Sequence, residues 1–168
     1  MTNGKIVKKT KESTKKNTYQ DIANYFLAIS NDIGEPITNL RLQKLVYYAQ
    51  AWYLANHSKP LFKEDFEAWV HGPVIPKLYQ KYKKYGFSPI QENIILEEVE
   101  KKFNPEIIKF LDKVYKVYMQ YNTYQLEMMT HRENPWIKAR KNHAPDEKCS
   151  VVIPKNEMEK YYGKKIKD

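Results

Sequence analysis

The stretch TNLRLQKLVYYAQAWYLAN, residues 38–56, limits the choice of fold more than any other part of the chain. Leu42, Leu45, Val46, Ala49 and Tyr53 recur at helical spacing on one side. Tyr48, Trp52 and Ala55 form a second stripe. A helix apolar on most of its circumference has to be surrounded by others, so this segment, capped by Thr38, is expected at the centre of its domain. Only a narrow polar line through Gln43, Tyr47 and Gln50 interrupts it. That line could serve as a groove lining or as a set of satisfied half-buried polar groups, and the second is the simpler reading.

The flanking segments supply the layers that such a helix needs. Thr18 can cap a helix carrying Ile22, Tyr25, Phe26 and Ile29, ended by Gly34 and Pro36. DFEAWVH alternates like a short strand, which Gly72 and Pro73 are expected to stop, and Pro76 suits the first turn of a helix through Tyr85. On that helix Leu78, Tyr82 and Tyr85 face inward while Lys77, Lys81 and Lys84 form an outward ridge. The stretch FSPIQENIILEEVEKKF is ambiguous between strand and helix. Asn104-Pro105 opens a helix through Tyr118, Thr123 is expected to cap another, Asn134-Pro135 opens a short third, and Pro154 starts a last helix stopped by Gly163. The expected fold is a compact, mainly α single domain of six to seven helices with a small β element, spanning residues 18–162.

Charge is concentrated at the ends. Residues 1–17 carry six lysines and one glutamate, and residues 155–168 carry five lysines against three acids, out of a net charge of +9. With almost no apolar content, residues 1–17 are expected to be a flexible basic tail, and residues 163–168 a short basic one. Such tails are commonly solubilising, yet Lys8, Lys9 and Lys11 could also attract nucleic acid or an acidic partner. A single cysteine, Cys149, excludes an internal disulfide, and no leader or long apolar run is present, so the reading is a cytoplasmic protein that does not enter the membrane.

Residues that could carry chemistry are sparse. His57, His71, His131, His143 and Cys149 lack paired metal-ligand spacing, and neither a phosphate-cradling glycine loop nor a nucleophile elbow occurs, so no metal and no cofactor is implied. His131 and Glu133 in MMTHRENPW lie close enough in sequence for acid-base work if both faced a cleft. Hydrogen bonding at a junction between two helices explains Glu133 more simply. Lys77, Lys81, Lys83 and Lys84 interleave with Tyr79, Tyr82 and Tyr85, a pattern that could pair phosphates with stacking rings. A solvated basic ridge over an aromatic core accounts for it without a ligand.

Three strings then carry a family resemblance: NLRLQKLVYYAQAWYLANHSKPLF, FEAWVHGPVIPKLYQKYKKYG and LEMMTHRENPWIKAR, with MEKYY after them. From about Thr18 to Tyr162 the chain resembles the SocA-like or Panacea antitoxin domain, also found in phage-associated proteins. Met129 stands where leucine is usual and Tyr53 where histidine is common. The resemblance implies a mostly helical domain with a small β element, encoded beside a toxin that it neutralises by direct binding, and not an enzyme. Members of the family meet toxins of unrelated kinds. One branch resembles an adaptor that delivers its toxin to a Clp protease, and other members carry a DNA-binding segment ahead of the domain.

On this reading Gln43, Trp52, Trp69, His71, Gly72, Pro73, Pro76, His131, Glu133, Pro135 and Trp136 form a framework. Trp69 and His71 anchor the passage from strand to helix. Candidate contacts with the cognate toxin are Tyr47, Gln50, Tyr79, Lys81, Lys84 and the tail lysines Lys8, Lys9 and Lys11. The alternative functions are a proteolytic adaptor that delivers the toxin to a Clp protease, and a nucleic-acid-binding phage or prophage regulator acting through Lys81 and Lys84.

Overall fold

A computed structural model of the protein describes residues 16–168. Lys8, Lys9 and Lys11 lie outside the described residues. Thr18 caps α1 (Tyr19–Asp32), accepting from the Asp21 amide while the Asp21 carboxylate returns to the Thr18 backbone. Thr38 caps α2 (Asn39–His57) by accepting from the Arg41 amide, without a reciprocal bond. As its two apolar stripes require, α2 is the central element: α1, α3 (Pro76–Tyr82), α5 (Pro105–Tyr118), α6 (Thr123–His131) and α8 (Lys155–Lys167) all pack on it. The fold is mainly α, with eight α-helices among the described residues and one small sheet.

Several local expectations are corrected. Gly72 and Pro73 do not end the β structure; after β1 (Phe66–Trp69) they begin β2 (Gly72–Val74), which pairs antiparallel with it, Trp69 opposite Gly72 and Ala68 opposite Pro73. Val70 and His71 form the tight turn between them, where Gly72 at φ +99° supplies a backbone conformation that side-chain-bearing residues avoid. Pro73 is tolerated because β2 is an edge strand. β3 (Val152–Ile153) joins on the other side of β1, giving the order β2-β1-β3.

The ambiguous stretch contributes α4 (Leu96–Glu100), which packs on α1. The helix begun at Pro76 tightens after Tyr82 into a 3-10 turn, Lys83–Tyr85. Asn122, not Thr123, caps α6, because its side chain accepts from the Gln125 amide while Gln125 returns to the Asn122 backbone. α7 (Asn134–Ala139) follows, with Pro135 in its first turn. Gly163 does not stop α8, which runs on to Lys167: glycine weakens a helix interior without forbidding it, and Lys164, Lys165 and Lys167 suit the negative end of the helix dipole.

Candidate functional site

Two polar junctions are built into the interior beside α2. The first gathers around Glu133, the residue before α7, whose carboxylate is buried. It does not cap that helix. It accepts from the Tyr48 hydroxyl of α2 at 2.6 Å and from the Tyr162 hydroxyl of α8, so one acidic side chain ties three helices together. Burial pushes its pKa from 4.5 up to about 7, opposed by the hydrogen bond from Tyr48. Around it Tyr48 stacks on Tyr118 at 3.9 Å, Tyr47 meets Phe66 and Tyr162 edge-on, and the Trp52 indole donates to the Tyr118 hydroxyl.

The second junction holds the hairpin. Lys44, wholly buried on α2, donates to the Pro73 carbonyl at 3.2 Å, and burial lowers its pKa from 10.5 to about 7. A Cβ on Gly72 would lie 2.7 Å from both Lys44 Cε and Thr130 Oγ1. The backbone of β2 therefore rests directly on two side chains. From the other side the Trp136 indole donates to the Trp69 carbonyl at 2.9 Å, and the buried Arg140 guanidinium donates to the carbonyls of Ala68, Ala144 and Glu147. His131 stacks on Trp136 at 4.1 Å, and burial lowers its pKa. His131 and Glu133 thus each have their own partners.

Tyr47 and Gln50, expected as partner contacts, are completely buried, which corrects that expectation. Gln50 donates to the Phe62 carbonyl and accepts from the Leu61 amide, both at 2.7 Å, fixing the loop that follows α2. Gln43 accepts from the Ile75 amide and donates to Asn39, which in turn donates to the Tyr79 carbonyl. At its Gln43 end, the polar line of α2 is a bracket that fastens the start of α3. His71 is exposed at the hairpin turn, its Nδ1 2.9 Å from Glu127, and the Trp69 ring lies edge-on to Tyr79.

Held in that way, α3 presents Lys77 and Lys81, and the 3-10 turn presents Lys83 and Lys84, all exposed. Leu78 and Tyr82 are buried beneath them. Directly beyond, at Gly86 with φ +55°, the chain turns and leaves Phe87 90% exposed. The turn is firm: Ser88 donates to the Tyr85 carbonyl, Pro89 pairs with Thr38, and the Tyr85 hydroxyl donates to the Gln91 carbonyl. Phe87 is not among the contacts expected from the sequence; its signal there is a phenylalanine between the glycine and the proline of GFSP, where no helical or strand period can bury it. Cys149 is buried, and no group of three or more potential metal ligands converges among the described residues. Nor is any described helix long and apolar enough to cross a membrane.

A family model described as "Antitoxin SocA-like, Panacea domain" matches residues 42–137, more than half of the chain. The chain belongs to this family. A curated relative, Antitoxin SocA of Caulobacter vibrioides (strain NA1000 / CB15N), is 36% identical over 78 residues, 46% of this chain and 42% of the relative. The chain therefore matches less than half the length of that relative. No solved structure matches. The Panacea match starts inside α2 and ends inside α7, so it includes Lys44, Gly72 and Glu133 but not the Tyr162 that completes the Glu133 junction.

Proposed function

We propose that this protein is an antitoxin that neutralises its toxin by binding it directly, with the Lys77–Lys84 ridge and Phe87 as the docking face. Membership of the Panacea family supports the antitoxin role. The observation that carries the choice of surface is Phe87, an aromatic side chain left in water on a turn whose backbone is pinned on both sides. A pre-ordered aromatic anchor gives up little conformational freedom on binding, and burying it yields about 2 kcal/mol. The exposed lysines around it favour an acidic partner and would speed its approach. Tyr79 stands at the edge of the same face, against Trp69.

The test is rescue of growth on co-expression with the growth-arresting product of a neighbouring reading frame, alongside affinity measured with purified partners. Phe87→Ala should weaken binding about tenfold or more, in line with the loss of a central anchor, and Lys81→Glu with Lys84→Glu should slow association and abolish its salt dependence. Neither change touches the core, so thermal unfolding should stay where it was. Full rescue by both variants would move the docking face elsewhere. Loss of DNA affinity in the lysine variant with rescue intact would instead favour a nucleic-acid-binding regulator.

A further inference from the structure

The sheet has a second edge that neither junction uses. β3 pairs with β1 so that Phe66 faces Ile153 and Glu67 faces Val152, and the Ala68 amide donates to the Val151 carbonyl at 2.9 Å. In an antiparallel ladder alternate residues turn their polar groups toward the partner strand. Val151 and Ile153 therefore bond toward β1, and Val152 aims its N–H and C=O away from it. No strand lies beyond β3 among the described residues.

Alongside β3, α7 and the start of α8 bound a groove of about 310 Å³ whose lining includes Lys138, Lys141, His143, Val151 and Val152. Val151 and Val152 are 42% and 43% exposed, and Ile137 on α7 is 43% exposed. Lys138 is paired with Glu157 at 2.9 Å, whereas Lys141 pairs with no carboxylate among the described residues. His143 Nδ1 is buried there without a hydrogen-bond partner. Strand-edge backbone, apolar side chains and an uncompensated cation thus adjoin one another, as required to receive an extended chain with alternating apolar and acidic residues.

We infer that this groove receives an extended acidic segment of a partner protein, which adds to the sheet beside β3. Its backbone bonds to Val152, the apolar side chains along one of its faces cover Val152, and a carboxylate meets Lys141. Charge argues against the two closer candidates. Residues 1–15 of this chain carry five lysines and one glutamate, and a second copy paired edge to edge would bring the same lysines face to face. This surface is separate from the α3 ridge and does not depend on the antitoxin reading.

The experiment follows backbone amide NMR signals of the full chain during titration with a capped hexapeptide alternating glutamate and valine, and with its lysine-valine counterpart. The acidic peptide should shift the amides of Val152, Lys141 and His143, and the basic one should leave them in place. Val152→Pro removes the outward N–H without touching the bonds to β1, and Lys141→Glu reverses the charge while keeping the backbone. Each should weaken the acidic peptide about tenfold, with the far-ultraviolet spectrum unchanged. The inference is overturned by equal binding of both peptides, by shifts confined to the residues around Lys81 and Lys84, or by unchanged binding to both variants. It is also overturned if the Val152 signal moves on dilution, which makes a second copy the occupant, or on deletion of residues 1–15, which makes that segment the occupant.

Discussion

Glu133 and Lys44 are both ionisable side chains taken out of water beside the same helix, yet their surroundings differ in kind. Glu133 receives two tyrosine hydroxyls, from α2 and α8, and is enclosed by aromatic rings. Lys44 has one carbonyl at 3.2 Å and the bare backbone of Gly72 against its Cε. The acid works as a hub whose partners need it; the amine works as a spacer whose length sets where the hairpin lies. A buried polar group joined to several donors is costly to remove, whereas one with a single weak partner is costly mainly in what has been shaped around it.

The largest expected effect comes from the spacer side. Gly72→Ala adds a Cβ at 2.7 Å from two side chains, at a φ that alanine avoids, and should destabilise the fold by about 4 kcal/mol in urea unfolding. A loss below about 1 kcal/mol would mean that Lys44 can move aside, and the contrast between the junctions would fail.

The pH profile comes next, since the two groups tilt it in opposite directions. Glu133 is raised from 4.5 to about 7, so within that window the folded chain holds a proton that the unfolded chain has released. Its contribution therefore falls as pH rises through the window, by about 3 kcal/mol. Lys44 is lowered from 10.5 to about 7, so above pH 7 the unfolded chain holds the extra proton and stability climbs with pH. Together they place a minimum of stability near neutrality. His131, lowered by burial, opposes Glu133 on the acid side, and the difference between the natural chain and Glu133→Gln isolates the carboxylate. A melting temperature with the same pH slope in both proteins would remove Glu133 from the account.

Smaller effects sharpen the comparison. Glu133→Ala leaves the Tyr48 hydroxyl inside without an acceptor and the Tyr162 hydroxyl with only that of Tyr47 at 3.5 Å, and should cost about 2 kcal/mol at neutral pH. Lys44→Met keeps the length of the side chain and removes the amine. It should be neutral or stabilising by about 1 kcal/mol at pH 7, and should abolish the alkaline rise. Calorimetry at pH 7 and pH 9 measures both.

The central position of α2 was legible in its own residues, because two apolar stripes on one helix leave no side for solvent, and the caps at Thr18, Thr38 and Asn104 were legible from local spacing. Which polar groups meet inside was not. Tyr48 and Glu133 are 85 residues apart, and periodicity reports that a side is buried without naming what it faces. For that reason the polar line through Gln43, Tyr47 and Gln50 left a groove lining open, when its amides close the backbones of Ile75, Phe62 and Leu61. The hairpin was half legible: the alternation gave β1, but a glycine followed by a proline usually ends a strand, and here the pair opens one at an edge. Phe87 was missed because an exposed ring on a turn has no period.

α8 emerges from the ribosome after every other described element, yet it covers rings and an acid contributed by much earlier parts of the chain. Tyr162 reaches Tyr47 across 115 residues of sequence. Until α8 has been synthesised, the growing polypeptide carries a half-dressed carboxylate and an uncovered aromatic seat, the kind of surface that chaperones and proteases recognise. Premature termination before Tyr162 should therefore yield not a weaker version of this domain but a substrate for degradation.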